Sequence, residues 1–254
     1  KTYAIPNCVD DRLLFYNKDV LRRAGLVDPA TGEPVPPRTW EEQREMNKKL
    51  TRHDEFGKIS VLGFAPNYGN SWLYMFGWQA GGDFMSADGR TCTLNEPRIV
   101  RALEYMLDVY KDVGGYRQVA AFQSGFQGGT MDPFITGKVA MLINGSPYIR
   151  ELAKWGPDVD FGVAPAPLPA ERAAAGAPAV SWSGGWSYAI PVNAHHKQGA
   201  WEFIRFAVSD EAFRIFCNSE FEGAQAMGQA YIPDFTPKPK LNQELMEKYV
   251  FSNP

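Results

Sequence analysis

Short apolar segments alternate with helical patterns along this chain, and each is bounded by capping or turn residues. The segment 13–16 is typical of a buried strand, and Asn17 predicts the N-cap of a short helix that Gly25 ends. Thr39-Trp40-Glu41-Glu42 has the pattern of a capping box, which predicts a helix as far as Thr51. This alternation of strand and helix predicts an α/β fold.

The remaining segments continue the alternation. Asn95 and Pro97 open the clearest helix, which Gly114 ends. Its predicted buried stripe consists of Ile99, Leu103, Met106, Leu107 and Tyr110. Further strands are predicted at 60–65, 139–143, 161–164 and 187–191, and further helices at 72–79, 132–137, 197–208, after Ser146 and after Ser209. The Gly- and Gln-rich stretch 122–129 is interpreted as a mobile surface loop, and the Ala/Pro run 164–179 as a linker between lobes.

Composition excludes several classes of protein. The chain has 254 residues, with 26 Lys and Arg against 29 Asp and Glu. This net charge of −3 gives no basic excess to neutralise phosphates, so a nucleic-acid binder is not expected. Three scattered cysteines fit neither a disulfide framework nor a zinc cluster. No apolar run approaches the roughly 20 residues of a membrane span. We expect no cofactor and no metal ion.

Motifs for catalysis are incomplete. Gly137-Lys138 resembles part of a phosphate loop, but Asp132 stands where the first Gly is required and no Ser or Thr follows the lysine. The carboxylate pairs Glu41-Glu42 and Asp210-Glu211 lie in predicted first helical turns, where they interact favourably with the helix dipole. Only Asp10-Asp11 lies outside such a turn. These patterns do not indicate an enzyme.

Four tryptophans lie in or beside turn-forming segments: Trp72, Trp78, Trp182 and Trp186. Their rings adjoin Gly, Ser or Asn within 67–71 and 181–187. A sugar packs its C–H face on an aromatic ring and hydrogen-bonds to polar neighbours. Aromatic rings beside turn residues therefore indicate a sugar site, but they indicate core aromatic side chains next to turns equally well. Trp40 and Trp201, on amphipathic helices, are expected in the core.

Four stretches carry a resemblance to a known family through their order and spacing. They are VDDRLLFYNKD within 3–19 with 24–26, PRTWEE within 37–42, PFITGKVAM at 133–141 with 144–145, and GGWSYAIP at 184–191 with 200–206. Together they resemble the extracellular solute-binding proteins of ABC importers, in the carbohydrate-binding family that includes maltose-binding protein.

The resemblance implies a two-lobe periplasmic-binding-protein (clamshell) fold of the α/β class, present here mainly as the C-lobe with part of the N-lobe. Residues 1–9 are then a crossing strand from the N-lobe, 10–180 the C-lobe, 181–185 the return crossing and 186–254 part of the N-lobe. Family members usually extend beyond both ends of this stretch. We therefore expect an incomplete chain, or a partner that supplies the missing surface and covers Trp201 and Ile204.

The resemblance also implies a function and a location. A sugar or oligosaccharide is captured in the inter-lobe cleft without being altered and is delivered to the transmembrane subunits of an ABC permease. The mature protein, its signal peptide removed, is expected in the bacterial periplasm or at the outer face of the cell membrane, as a monomer when full length. Its expected partners are the small carbohydrate ligand and the permease. We do not expect it to bind nucleic acid.

Carried over position by position, the resemblance implies a set of ligand-binding residues. They are Asp10, Arg12, Asn67, Tyr68, Asn70, Trp72, Asn144, Tyr148, Trp182, Ser183 and Trp186. Asp10 falls where the family often has an acidic contact, and Arg12 is predicted on the same strand face. Many relatives have Trp in the helix that follows Asn144. Here that place is Pro147-Tyr148, so the stacking ring is Tyr148 or is absent.

Two alternatives stay open at this point. The segment Asn144-Gly145 precedes a helix N-terminus and Arg12 is cationic, so the solute is alternatively glycerol 3-phosphate or another non-sugar solute. The other alternative is a glycoside-active enzyme with Asp10 as one carboxylate. It requires an opposing acid within roughly 5–10 Å, which the sequence does not indicate.

Overall fold

The computed structural model describes residues 2–69 and 71–252. The α-helices are α1 (Lys18–Arg23), α2 (Trp40–Leu50), α3 (Leu73–Gln79), α4 (Pro97–Lys111), α5 (Tyr116–Gln123), α6 (Tyr148–Trp155), α7 (Ala170–Ala174), α8 (Lys197–Ala207), α9 (Asp210–Ala226) and α10 (Pro239–Met246). The strands are β1 (Ile5–Pro6), β2 (Arg12–Asn17), β3 (Arg52–His53), β4 (Ile59–Val61), β5 (Met141–Gly145), β6 (Phe161–Pro165) and β7 (Ser187–Tyr188). Within the described ranges, no helix is both long and apolar enough to cross a bilayer.

The chain divides into two compact units. Unit 1 comprises Lys1–Asp11, Ser146–Pro157 and Ser183–Pro254, and unit 2 comprises Arg12–Gly145 and Asp158–Trp182. The chain therefore passes between the units after Asp11, Gly145, Pro157 and Trp182. Within the expected C-lobe block 10–180, helix α6 and its flanking residues group with unit 1.

Unit 2 is built on a three-stranded sheet in the order β5-β2-β6, with both pairings antiparallel. The central strand β2 carries the fully buried Leu14 and Phe15, which confirms the predicted strand. Asn17 caps α1 by accepting the amide of Val20 at 3.0 Å, as predicted. Trp40 is 2 % exposed and stacks on Tyr105 with the ring centroids 4.1 Å apart, so its predicted place in the core is confirmed.

The buried face of α4 differs from the predicted stripe. Ile99, Met106 and Tyr110 are buried, but Leu103 and Leu107 are 45 % and 47 % exposed. Their places on the inner face are taken by Ala102, Tyr105 and Val109. The leucines are the more apolar residues in the sequence, but α4 packs on α2 and α3 through a face that is rotated from the predicted stripe.

Two other segments of unit 2 differ from expectation. The segment 132–137 forms turns instead of the predicted helix: the Asp132 carboxylate accepts the amides of Phe134 and Ile135, but Gly137, with a φ of 71°, ends the segment after little more than one turn. The run 164–179 is not a linker, because it contains α7 and packs within unit 2. Arg101 of α4 forms a two-pronged ion pair with Glu171 of α7. Helix α5 was not predicted, and it takes in the first part of the stretch interpreted as a loop.

Unit 1 contains an antiparallel ribbon of β1 and β7 together with α6, α8, α9 and α10. A core cluster joins α9 to the C-terminal helices through Cys217, Tyr231 and Leu245. Ile204 of α8 is buried, but Trp201 is 41 % exposed, so its predicted place in the core is wrong. Trp201 instead lines an open pocket of about 530 Å³ beside Tyr3.

Candidate functional site

Arg12 and Trp182 form the best-defined part of the site in unit 2. Arg12 begins β2 and is 2 % exposed. Its guanidinium carbon lies 4.0 Å from the centroid of the Trp182 ring, which is a stabilising cation–π arrangement. The preceding Ser181 hydroxyl accepts the Arg12 amide at 2.7 Å and donates to the Arg12 carbonyl at 2.8 Å. The start of β2 and the segment 181–182 are thereby fixed to each other.

The Trp182 ring begins a continuous row of partly buried aromatic side chains, here called the aromatic row. Its members, in order of contact, are Trp182, Tyr74, Trp78 and Phe84, with centroid separations of 5.3, 5.5 and 5.9 Å. Tyr74 and Trp78 are four residues apart on α3 and therefore share a face of that helix. Burial raises the pKa of Tyr74, while the nearby Arg12 charge opposes the shift, so the phenol is neutral at physiological pH.

Tyr74 and Phe84 were missed by the sequence analysis, and Trp78 was noted but not assigned to the site. The i, i+4 spacing of Tyr74 and Trp78 was the available signal. Neither Tyr74 nor Phe84 adjoins Gly, Ser or Asn, so the pattern of rings beside turn residues does not include them.

Asn144 and the loop that contains Asn67 are brought together at the end of β5. Asn144 pairs in register with Leu13, next to the Arg12 pair, and its side-chain oxygen accepts the Gly145 amide at 2.9 Å. Gly69 forms a parallel bridge to Ile143 with a φ of 75°, and a Cβ there would lie 2.4 Å from the Ile143 carbonyl oxygen. Glycine is therefore required for the loop to approach the strand this closely.

The other loop residues point in different directions. Tyr68 packs into a side cluster with its ring 5.0 Å from that of Phe126, and burial, reinforced by the Asp132 charge, raises its pKa. Trp72 precedes α3 and is 49 % exposed, so about half of its surface is accessible to solvent next to the turn. Asn70 lies outside the described residues.

The remaining candidates lie in unit 1. Asp10 pairs with Gly184 through the backbone, and its carboxylate also accepts the Gly184 amide at 2.9 Å, which positions the adjacent Ser183. Trp186 is 78 % exposed, and its carbonyl accepts the Asn7 amide at 2.7 Å. Tyr148 is the first residue of α6 and only 9 % exposed. Asp10 and Arg12 thus belong to different units.

These side chains suit non-covalent recognition. Unit 2 offers flat rings, one amide at the end of β5 and a guanidinium, while the Asp10 carboxylate is engaged by a backbone amide. Rings of this kind bind C–H faces, and amides bind hydroxyl groups. Among the described residues, no cluster of three or more His, Cys, Asp or Glu side chains is arranged to hold a metal ion.

Comparison with known proteins places these observations in context. The Arabinooligosaccharide-binding protein of Bacillus subtilis strain 168 is 26 % identical over 220 residues, which are 83 % of this chain and 45 % of that protein. A binding protein of Brucella abortus strain 2308 is 25 % identical over 232 residues, 87 % of this chain and 50 % of its own length. The chain thus spans about half the length of these curated relatives.

Solved structures give the same picture. The structure described as CpMnBP1 with mannobiose bound is 28 % identical, with a TM-score of 0.76 over 99 % of this chain and 59 % of that one. The GacH receptor of Streptomyces glaucescens, 21 % identical with a TM-score of 0.62, supports the fold alone. These neighbours are two-lobe periplasmic binding proteins, which confirms the predicted fold class, with part of their length present here.

A family model described as bacterial extracellular solute-binding protein matches residues 2–212. Members of this family bind solutes and are not enzymes. The chain belongs to the bacterial extracellular solute-binding protein family.

Proposed function

We propose that this protein is the sugar receptor of an ABC importer and that the aromatic row, together with Arg12, binds a short oligosaccharide. The observation that carries the proposal is the Arg12–Trp182 stack at 4.0 Å, continued by Tyr74 and Trp78. A row of aromatic rings offers apolar surface to the C–H groups of sugar units, which suits an oligosaccharide better than a small anion.

The similar proteins support this class of ligand. Two of the structures are described as CpMnBP1 with mannobiose and with mannotriose bound, at 28 % and 27 % identity. The Bacillus subtilis relative is named for arabinooligosaccharide. We therefore propose a linear oligosaccharide of two or three units as the ligand.

In this proposal the protein acts outside the cytoplasmic membrane, in the periplasm or at the outer face, as a monomer. The solute is bound without chemical change and passed to the transmembrane subunits of the permease. Asp10, Asn67, Tyr68, Asn70, Trp72, Asn144, Tyr148, Ser183 and Trp186 stay predictions as further ligand contacts. Among the described members of this set, four residues are exposed: Asn67, Trp72, Ser183 and Trp186.

The test is calorimetric titration of the natural, full-length protein with mannobiose, mannotriose, an arabino-oligosaccharide and glycerol 3-phosphate. We expect saturable binding of at least one sugar, and recovery of that sugar intact. Trp182→Ala should weaken this binding at least about fivefold, the magnitude of a lost aromatic contact. Phe56→Ala, which truncates a 77 % exposed ring in a remote turn, is the matched control.

Binding of glycerol 3-phosphate without any sugar would contradict the proposal and favour the anion receptor. Cleavage of the sugar, abolished by Asp10→Asn, would favour an enzyme. Equal affinity of the Trp182→Ala variant and the natural protein would remove the aromatic row from the site.

A further inference from the structure

A second pocket of unit 2 gathers basic side chains on an apolar floor. The pocket has a volume of about 400 Å³, and its floor includes the buried Val20 and Leu50. Its rim carries the exposed cations Arg23, Arg52 and Lys138. These residues come from α1, the start of β3 and the turn before β5, so the fold alone brings them together.

The turn at Gly137 brings the backbone next to Lys138 close to Arg23. Gly137 has a φ of 71°, and a Cβ built there would lie 3.8 Å from Nη2 of Arg23. The amide of the adjacent Lys138 donates to the Pro133 carbonyl at 2.7 Å, which fixes the turn. The Arg23 guanidinium therefore lies over the residue that precedes Lys138.

Arg52 is held in place by backbone carbonyl groups. Its Nη1 donates to the carbonyls of Lys49 and Thr51, at and just after the end of α2. Both contacts use the same nitrogen, so Nε and Nη2 keep their donor capacity. A guanidinium fixed at one nitrogen loses little further freedom when it binds an anion.

The pocket is unbalanced in charge. No acidic residue is found among its described lining residues, and neither Arg23 nor Lys138 forms an ion pair with any described residue. A depression lined by one sign of charge concentrates counter-ions, and an anion bound there relieves the repulsion between the cations. The donor set of two guanidinium groups and one ammonium suits an oxyanion with several acceptor oxygens.

We propose that this pocket binds a phosphate group, carried by a small molecule or by a lipid headgroup. Gly137-Lys138 does not complete a phosphate-loop motif in the sequence. In the folded chain, however, Lys138 contributes a cation to this pocket. The inference does not depend on the sugar site.

The test titrates the natural protein with inorganic phosphate at low ionic strength, and separately sediments it with vesicles of phosphatidylglycerol or of phosphatidylcholine. We expect binding in the phosphate or the phosphatidylglycerol arm, weakened by added salt because the cations are exposed. The double variant R23Q/K138Q should lose at least about tenfold in affinity, as expected for charge-assisted hydrogen bonds. R117Q, which removes one positive charge on the exposed face of α5, should stay within about twofold.

The two arms distinguish the source of the phosphate, because one offers free phosphate and the other a lipid headgroup. If inorganic phosphate displaces the protein from vesicles, both ligands bind at one shared site. Thermal unfolding of R23Q/K138Q should match that of the natural protein, and its affinity for sugar should be unchanged. Absence of saturable binding in both arms would overturn the proposal. So would an equal loss in R117Q, because it would indicate general attraction between charges.

Discussion

The hydroxyl of Ser181 bridges both backbone polar groups of Arg12, accepting from the amide at 2.7 Å and donating to the carbonyl at 2.8 Å. One side chain thus fixes the strand residue whose guanidinium covers Trp182. We expect Ser181→Ala to weaken sugar binding about fivefold, since a hydrogen bond of this type contributes about 1 kcal/mol. Titration calorimetry of the variant measures the loss.

Ser181→Thr is the conservative variant, because threonine keeps the hydroxyl group, and it should restore most of the affinity. Ser124→Ala is the matched control, since the Ser124 hydroxyl donates to the Ala121 carbonyl on the surface of unit 2. A decrease in thermal stability with unchanged affinity would mean that Ser181 has a structural role alone.

Trp72 and Trp186 are expected to contribute to binding through exposed rings. They are 49 % and 78 % exposed, so truncation to alanine removes little core packing. Each substitution should weaken sugar binding by about 1 kcal/mol or more, while thermal unfolding changes little. Wild-type affinity in both variants, measured with the same sugar, would contradict the assignment of these two rings.

The sequence predicted local structure well where side chains act on their own backbone. The caps at Asn17, Thr39 and Ser209 are present because the capping oxygen and the amide it accepts lie three residues apart. The exposed Leu103 and Leu107 were predicted wrongly, because the face that packs is decided by α2 and α3, which are distant in the sequence.

In the candidate site, too, features set by neighbouring residues could be predicted and contacts between distant residues could not. Trp182 stood out because it adjoins turn residues, but its contact with Arg12 joins residues about 170 positions apart and no local pattern reports it. Likewise, Lys138 meets Arg23 and Arg52 only through tertiary structure. The sequence spacing of Tyr74 and Trp78 shows that they share a face of α3. Contacts between different elements become visible only in the folded structure.

Asp160 should make unfolding more sensitive to acid. Its carboxylate lies 2.6 Å from Nη1 of Arg22 and 3.3 Å from Nζ of Lys18, and these contacts hold the pKa of Asp160 below its usual range. A carboxyl group with a lowered folded-state pKa stabilises the fold at neutral pH. That contribution decreases as the pH falls below about 3.9, the ordinary Asp value, and is lost below the folded-state pKa.

Denaturant unfolding at several pH values measures this contribution. Asp160→Asn should lower the free energy of unfolding at pH 7 and reduce the loss of stability on acidification. The effect should be small, because the ion pairs are exposed to solvent. Glu104→Gln removes a carboxylate that forms no ion pair with a described residue. It should change neither the free energy of unfolding at pH 7 nor the loss of stability on acidification. An unchanged acid slope in Asp160→Asn would refute the prediction.

Gly185 is required by the backbone of the ribbon in unit 1. Its φ is 135°, and a Cβ there would lie 2.0 Å from the Cys8 carbonyl oxygen, closer than any tolerated contact. Gly185→Ala should therefore destabilise the protein by about 2 kcal/mol or more, through backbone strain and displacement of the segment around Cys8. Gly199→Ala, in α8 with no atom within 4 Å of the added Cβ, should instead stabilise it by about 0.5–1 kcal/mol. Denaturant unfolding of both variants gives the comparison, and equal midpoints would show that the ribbon relaxes around the added methyl group.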